Sequence, residues 1–369
     1  LITTLSQDFV VNKLKETDWK SGTNGPLVVE LDPTEVCDLA CPGCISEDLV
    51  ATHNSFSNER LMEIGNELYE LGVKAVVLIG GGEPLAHPMI GELIKFLSEH
   101  DIQVGITTNG TFIGKHLDTI SKHSSWTRVS VDAATNDTFL KLRPAKNGTS
   151  KFNQIVQNMR QLAKVKKGTL GFSYLVRTKA DGFGIKSNIH EIYDAAVLAK
   201  DIGCDRFEVK PSYNFHGGTA HTLVKHDPKQ MEEARHQINR LDDLATDKFR
   251  VIKAINLDAS LRGVDEEQEK DYDFCPVAEL RTLICPSGVY VCPYWRGKDS
   301  FKIGDVNTTS VKDVWLGERR KKVMNWLNPS KHCVLHCLRH ESNINIINMI
   351  DSLSQGDEIE TIDEYNRFI

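Results

Sequence analysis

The chain has 369 residues, of which 40% are hydrophobic and 26% charged. That balance excludes a largely disordered chain and suits one large domain plus a smaller one, with no need of disulfides to fold. Forty-four Lys and Arg against 51 Asp and Glu leave a net charge of −7, which argues against bulk nucleic-acid binding because that rests on excess cations.

No apolar run approaches the roughly 20 residues that a membrane span needs, and no signal-peptide pattern opens the chain. The expected setting is the reducing cytoplasm, although Leu1 in place of an initiator Met leaves a trimmed leader open. An N-terminal extension, residues 1–26, precedes the first strand. Apolar runs at 27–31, 75–79, 103–107, 128–132, 169–177 and 206–210 read as strands. Helical patterns at 57–71, 88–100, 153–163 and 188–202 lie between them, two of them stopping at Gly72 and Gly203. Each strand returns after about 25–35 residues, the length of a βα unit. Six such units fit before about residue 215, so the expected fold class is α/β, a partial (β/α)6 TIM-like barrel, with a core over 27–226. Residues 227–270 turn polar and read as a bridge with a helix at 230–244. From 271 to 345 the chain changes to short strands and turns, a small C-terminal α+β domain. Pro286-Ser287-Gly288 there marks a hairpin between 280–285 and 289–294. Residues 311–327 read as helix, and 346–369 as an acidic, partly helical tail.

Nine cysteines occur, an odd number with no secretion signal, which fits a disulfide framework poorly. Their distribution is more telling: Cys37, Cys41 and Cys44 fall near the start, Cys275, Cys285, Cys292, Cys333 and Cys337 near the end, and Cys204 between. Clustering at short spacing is what soft metals and iron–sulfur clusters require, since several thiolates must converge on one inorganic core. Cys37-x3-Cys41-x2-Cys44 follows the first strand directly. Three thiolates can hold three corners of a cubane cluster and leave one iron open. Zinc is the competing reading, but a structural zinc site wants a fourth protein ligand nearby. Next, residues 76–79 run into Gly80-Gly81-Gly82-Glu83-Pro84. The glycines allow close approach of backbone to a ligand, and a Glu at the carboxyl end of a strand can accept a cationic amine.

These two motifs, in this order and spacing over residues 27–215, resemble the radical S-adenosylmethionine (radical SAM) superfamily. Its hallmark is C-x3-C-x-aromatic-C after the first strand, with a GGE-type motif after the second. Gly43 stands where that pattern has an aromatic residue. The resemblance implies that Cys37, Cys41 and Cys44 bind a [4Fe-4S] cluster whose open iron chelates S-adenosylmethionine. It also implies that Gly81, Gly82, Glu83, Asn109, Ser130 and Asp132 line the nucleotide, with Arg143 and Arg177 as candidates for its carboxylate. Reductive cleavage of S-adenosylmethionine would then give a 5′-deoxyadenosyl radical, which takes a hydrogen atom from a substrate carbon. An external donor such as flavodoxin or ferredoxin would supply the electron.

The C-terminal cysteines resemble the twitch domain, the smaller relative of the SPASM domain. By that resemblance Cys275, Cys292, Cys333 and Cys337 bind an auxiliary [4Fe-4S] cluster. Three residues separate Gly288 from Cys292, where the usual spacing is four. A zinc site using Cys333, Cys337 and His332, His336 or His340 is the alternative. Cys285 is left over, as an idle thiol, an alternative ligand or a hydrogen-atom donor to a substrate radical; Cys204 reads as structural. At the end of the sixth strand, Lys210 could orient an anion or act as a base, beside Ser212, Tyr213 and Asn214.

The expected function is that of a radical SAM enzyme acting on a small carbohydrate-like molecule (a sugar, aminocyclitol or nucleotide-sugar), giving oxidation or epimerisation. The short segment before the first strand, with no room for a peptide-recognition domain, favours that substrate class. A ribosomal-peptide maturase, an epimerase or cross-linking enzyme with a peptide substrate, is the alternative. A non-catalytic zinc- or cluster-binding interaction protein is the contrasting class; it would not cleave S-adenosylmethionine.

Overall fold

The computed structural model describes the chain apart from residues 1, 20, 179–186, 215–221, 225–226, 255, 263–268, 334–336 and 363–365. Six parallel strands arise where the apolar runs lie: β1 (Val28–Leu31), β2 (Ala75–Leu78), β3 (Gln103–Thr108), β4 (Trp126–Ser130), β5 (Thr169–Val176) and β6 (Arg206–Pro211). They pair in chain order from β1 to β6, all parallel. βα crossovers produce this arrangement, because parallel neighbours need a crossover connection and both faces of a parallel sheet need covering. The helices Asn58–Glu70, Ile90–Glu99, Phe152–Val165 and Ile192–Ile202 supply the outer layer. The first is capped by Ser57, whose side chain accepts from the Arg60 amide, and the last ends on Gly203 at φ +93°. Outward-facing Val76, Leu78, Val104, Ile106 and Val129 pack against buried helix residues such as Ile64, Leu68, Leu93 and Leu97 in one core.

The sheet is longer than six strands. Beyond a two-stranded β7 (Tyr213–Asn214) and β8 (Thr222–Leu223), β9 (Arg250–Lys253) adds parallel to β6. This strand falls inside the stretch read from sequence as a bridge, and its residues are exposed or half-buried, so no apolar run announces it. On the other side, β10 (Arg281–Cys285) pairs parallel with β1. The antiparallel β11 (Gly288–Tyr290) and β12 (Lys302–Gly304) follow it. The order is β12-β11-β10-β1-β2-β3-β4-β5-β6-β9, a partial TIM-like barrel whose first strand is flanked by the C-terminal hairpin. β4 begins at Trp126, two residues ahead of the apolar run. The predicted helix over 311–327 is broken into Val311–Leu316 and Glu318–Trp326 by Gly317. No helix among the described residues is long and apolar enough to cross a membrane.

Candidate functional site

All seven cysteines of the two predicted ligand sets line a single cavity of about 730 Å³ at the carboxyl ends of the strands. The loop after β1 carries Cys37, Cys41 and Cys44. It is pinned by backbone bonds from Glu35 to Asn54 (2.8 Å), from Ala40 to Pro144 (2.7 Å) and from Cys44 to Cys41 (3.2 Å). Gly43 adopts φ +69°, a left-handed conformation that glycine takes without strain. That is a local reason for the missing aromatic residue.

The glycine turn after β2 packs directly on this loop. A Cβ on Gly82 would sit 2.3 Å from the Val36 carbonyl oxygen, and the Glu83 amide donates to that same oxygen at 2.8 Å. Only a glycine lets the two loops meet. Glu83 is buried and accepts three hydrogen bonds, from the Leu85 amide (3.1 Å), the Thr108 hydroxyl (2.5 Å) and the Asn109 amide (2.6 Å). Burial nevertheless pushes its pKa up to about 7. Asn109 in turn donates from Nδ2 to Asp38 at 2.8 Å and lies 3.8 Å from the Cys37 sulfur. Glu83 and Asn109 thus tie β2 and β3 to the first cysteine.

Asp132 follows β4 at φ +60°. It accepts from the Leu175 amide at 2.7 Å through Oδ1 and from Arg143 at 3.2 Å through Oδ2. A short polar side chain bonded to backbone tolerates this region better than most residues. Arg177 reaches the Pro42 carbonyl, between Cys41 and Cys44, at 3.3 Å. Ser130 is half-buried on the same wall. Gly81, Gly82, Glu83, Asn109, Ser130, Asp132, Arg143 and Arg177 all line the cavity.

The same cavity is lined by Cys275, Cys292, Cys333 and Cys337. Cys275 precedes the short helix Pro276–Leu280, and Cys292 follows β11. Asn343, from the helix His340–Gln355, accepts from both the Cys275 sulfur (3.4 Å) and the Val277 amide (3.1 Å). The Arg339 amide donates to the Cys337 sulfur at 3.4 Å. Burial raises the pKa of Cys275 to about 12 and that of Cys333 to about 11, and raises Cys292 and Cys337 as well. Cys37 is pushed up to about 12 and Cys41 also rises, again by burial. Buried thiols lining one cavity are poor thiolates on their own; a bound metal deprotonates them outright. Soft sulfur donors in two groups suit iron–sulfur clusters.

Histidines fit the C-terminal set less well. His332 stacks on Trp326 at 3.9 Å, and its Nδ1 accepts from the Asn328 amide at 3.0 Å. His340 contacts the Tyr272 hydroxyl at 3.1 Å, and His336 lies outside the described residues. Among the described residues, no three His, Cys, Asp or Glu side chains form a single-ion site.

The two residues assigned catalytic roles from sequence are not brought to the cavity wall. Cys285 is fully buried; its thiol donates to the Gly288 carbonyl at 3.3 Å and packs with Leu283 and Tyr290. Lys210 stands 3.3 Å from Glu208, beside the cavity residue Arg128 but outside the cavity's own lining. Ser212 and Tyr213 do line the cavity. Sequence reasoning missed Asn343 and Arg296. The latter binds buried Asp32 through Nε at 2.7 Å and through its terminal nitrogen at 3.1 Å.

Residues 31–181 match the Radical SAM superfamily. Mycofactocin maturase MftC of Mycobacterium tuberculosis is 24% identical over 306 residues, covering 80% of this chain and 72% of that protein. The antilisterial bacteriocin subtilosin biosynthesis protein AlbA of Bacillus subtilis is 25% identical over 240 residues, covering 62% and 51%. Among solved structures, SuiB of Streptococcus suis bound to its precursor peptide SuiA superposes with a TM-score of 0.59 at 15% identity, over 94% of this chain and 77% of that one. That likeness establishes a shared fold.

Proposed function

We propose that this chain, a radical SAM enzyme by virtue of residues 31–181, matures a peptide by modifying one of its unreactive carbons. Enzymes of this superfamily work with a [4Fe-4S] cluster and S-adenosylmethionine. When bound, the two supply the one-electron chemistry that removes a hydrogen atom from an unactivated C–H bond. Cys37, Cys41 and Cys44 would hold the first cluster. Glu83, held by three donors, would receive the ammonium of S-adenosylmethionine, whose charge favours the ionised carboxylate, and Arg177 or Arg143 would take its carboxylate. Asn109, Ser130 and Asp132 would border the ribose, where the bare backbone of Gly81 and Gly82 allows close approach. Cys275, Cys292, Cys333 and Cys337 would hold the auxiliary cluster.

The observation that carries this reading is the convergence of both cysteine sets, from opposite ends of the chain, on one cavity. The peptide substrate replaces the carbohydrate-like molecule expected from sequence. Support comes from relatives aligned over much of the chain, one named as a maturase and one as a bacteriocin biosynthesis protein. Cys285 faces away from the cavity, so an oxidative outcome is favoured over epimerisation quenched by that thiol. Electrons would come from an external flavodoxin- or ferredoxin-type donor.

The test is anaerobic reconstitution followed by dithionite and S-adenosylmethionine. A brown protein with about eight irons per chain should release 5′-deoxyadenosine. Short peptides encoded beside the gene should then lose hydrogen by mass spectrometry. Colourless, zinc-only protein would overturn the reading, and hydrogen loss from a sugar in place of a peptide would overturn the substrate class.

A further inference from the structure

The cavity runs below the cysteines into the barrel lumen, where it reaches Trp126, Arg128 and Phe368. Alternation along β4 places Trp126, Arg128 and Ser130 on one face, and alternation along β6 does the same for Arg206, Glu208 and Lys210. These residues form one charge cluster. Glu208 sits 3.2 Å from Arg128, 3.3 Å from Lys210 and 3.6 Å from Arg206. Three cations share one carboxylate, an excess of two positive charges. Asp132, the next acid above, is already paired with Arg143.

The lumen is shaped to hold these groups. A Cβ on Gly105 would fall 2.2 Å from the Trp126 ring, and one on Gly171 would fall 3.1 Å from Arg206. Trp126 lies 5.9 Å from the Arg128 guanidinium and 5.8 Å from that of Arg206. Phe368 packs edge-on against Trp126 at 5.3 Å, which closes that side with apolar surface. Arg128 donates to Glu208 and to the Thr107 hydroxyl, both at 3.2 Å, while its buried Nε has no hydrogen-bond partner. About a quarter of its side chain (28%) remains open. Unbalanced cations in a low-dielectric enclosure are costly unless an anion joins them.

From this arrangement we infer that the lumen at Arg128 seats a carboxylate of the substrate, either an acidic side chain or a chain end. A guanidinium with free donors binds a carboxylate bidentately. Arg128 lies two residues, about 7 Å of strand, below Ser130, so a carboxylate held there sets how far into the barrel the substrate reaches. Arg128 is then a specificity-determining residue, with Lys210 and Arg206 supplying the field that draws the anion in. This inference rests on the peptide-maturase reading and deepens it.

The experiment titrates reconstituted protein by calorimetry with three probes. N-acetylglutamic acid α-amide carries only a side-chain carboxylate, N-acetylglutamine only a chain-end carboxylate, and N-acetylglutamine amide neither. At least one carboxylate probe should bind ten-fold or more tighter than the neutral amide, and the tighter of the two identifies the source. Equal affinities for all three would overturn the inference. Arg128→Gln should erase the preference; a preference that survives it would also overturn the assignment. Should that variant fail to fold, Arg128→Lys, which keeps the charge but loses the fork, should reduce the preference, and an unchanged preference would be fatal. Release of 5′-deoxyadenosine by the wild type is measured in parallel. Its presence without carboxylate preference defeats this inference alone, whereas its absence defeats the function reading.

Discussion

Arg296 and Asp32 form a two-point ion pair, 2.7 and 3.1 Å, across 264 positions of sequence. Asp32 follows β1 directly and leads into the first cysteine loop, while Arg296 follows Cys292 by four residues. The pair therefore links the two cysteine-bearing segments, and both side chains are almost wholly enclosed, at 0% and 8% exposure. Breaking a buried pair by removing one partner strands the other charge, at a cost of about 3–5 kcal/mol. Arg296→Met and Asp32→Asn should each lower the urea midpoint on that scale, and the double variant should lose clearly less than the sum. Additive losses would show that the two charges do not act as a unit.

Glu83 sets a pH dependence. Its folded pKa is about 7, above the roughly 4.3 of an unfolded glutamate, so the folded state holds the proton more tightly. The stabilisation from that proton is complete below the unfolded value and is lost as pH rises through 7. Relative to Glu83→Gln, the wild type should lose on the order of 3 kcal/mol between about pH 4 and pH 8. Denaturant titrations of both proteins across that range check it, and a pH-independent difference would refute it. A bound ammonium group favours the ionised form, so saturating S-adenosylmethionine should flatten the curve.

The barrel was legible because β1, β2, β3 and β5 are built from Val, Ile and Leu between amphipathic helices. β9 was not, since Arg250–Lys253 lies at an edge and presents mostly exposed residues. The start of β4 at Trp126 was missed because Ser124 and Ser125 precede it and Trp126-Thr127 continues no apolar alternation from them. Short cysteine spacings and the glycine turn were visible because their chemistry is local. Asn343 and Arg296 act on partners 68 and 264 positions away, and no local pattern marks such pairs. The cysteine count alone leaves Cys285 open as an idle thiol, an alternative ligand or a hydrogen-atom donor. The alternation of β10, however, turns its thiol toward Leu283 and Tyr290.

Gly82 tests the contact between the glycine turn and the cysteine loop. Gly82→Ala places a methyl 2.3 Å from the Val36 carbonyl and 2.6 Å from Glu35 backbone, so one loop must move. Overpacking of this kind costs about 1–3 kcal/mol, and the displaced segment carries Cys37. The melting temperature and the iron incorporated at the first site should both fall. Gly91→Ala is the control. Its methyl would meet nothing nearer than 3.4 Å, within the helix Ile90–Glu99, where alanine gains up to about 1 kcal/mol over glycine. Equal behaviour of the two variants would contradict the packing argument.

The two cysteine sets should separate by function. Replacing Cys37, Cys41 and Cys44 together by Ala should abolish release of 5′-deoxyadenosine and lower bound iron from about eight to about four per chain, while the auxiliary absorbance persists. Cys292→Ala should act the other way. Its thiol groups with Cys275 and Cys337 and not with the loop after β1, so cleavage of S-adenosylmethionine should continue in part while peptide product disappears. Iron analysis, low-temperature EPR of the reduced protein and product mass spectrometry read the two variants side by side. An EPR signal that shifts on adding S-adenosylmethionine should be present in Cys292→Ala and missing from the triple variant. Cleavage that survives the triple replacement would move the S-adenosylmethionine site away from the loop after β1.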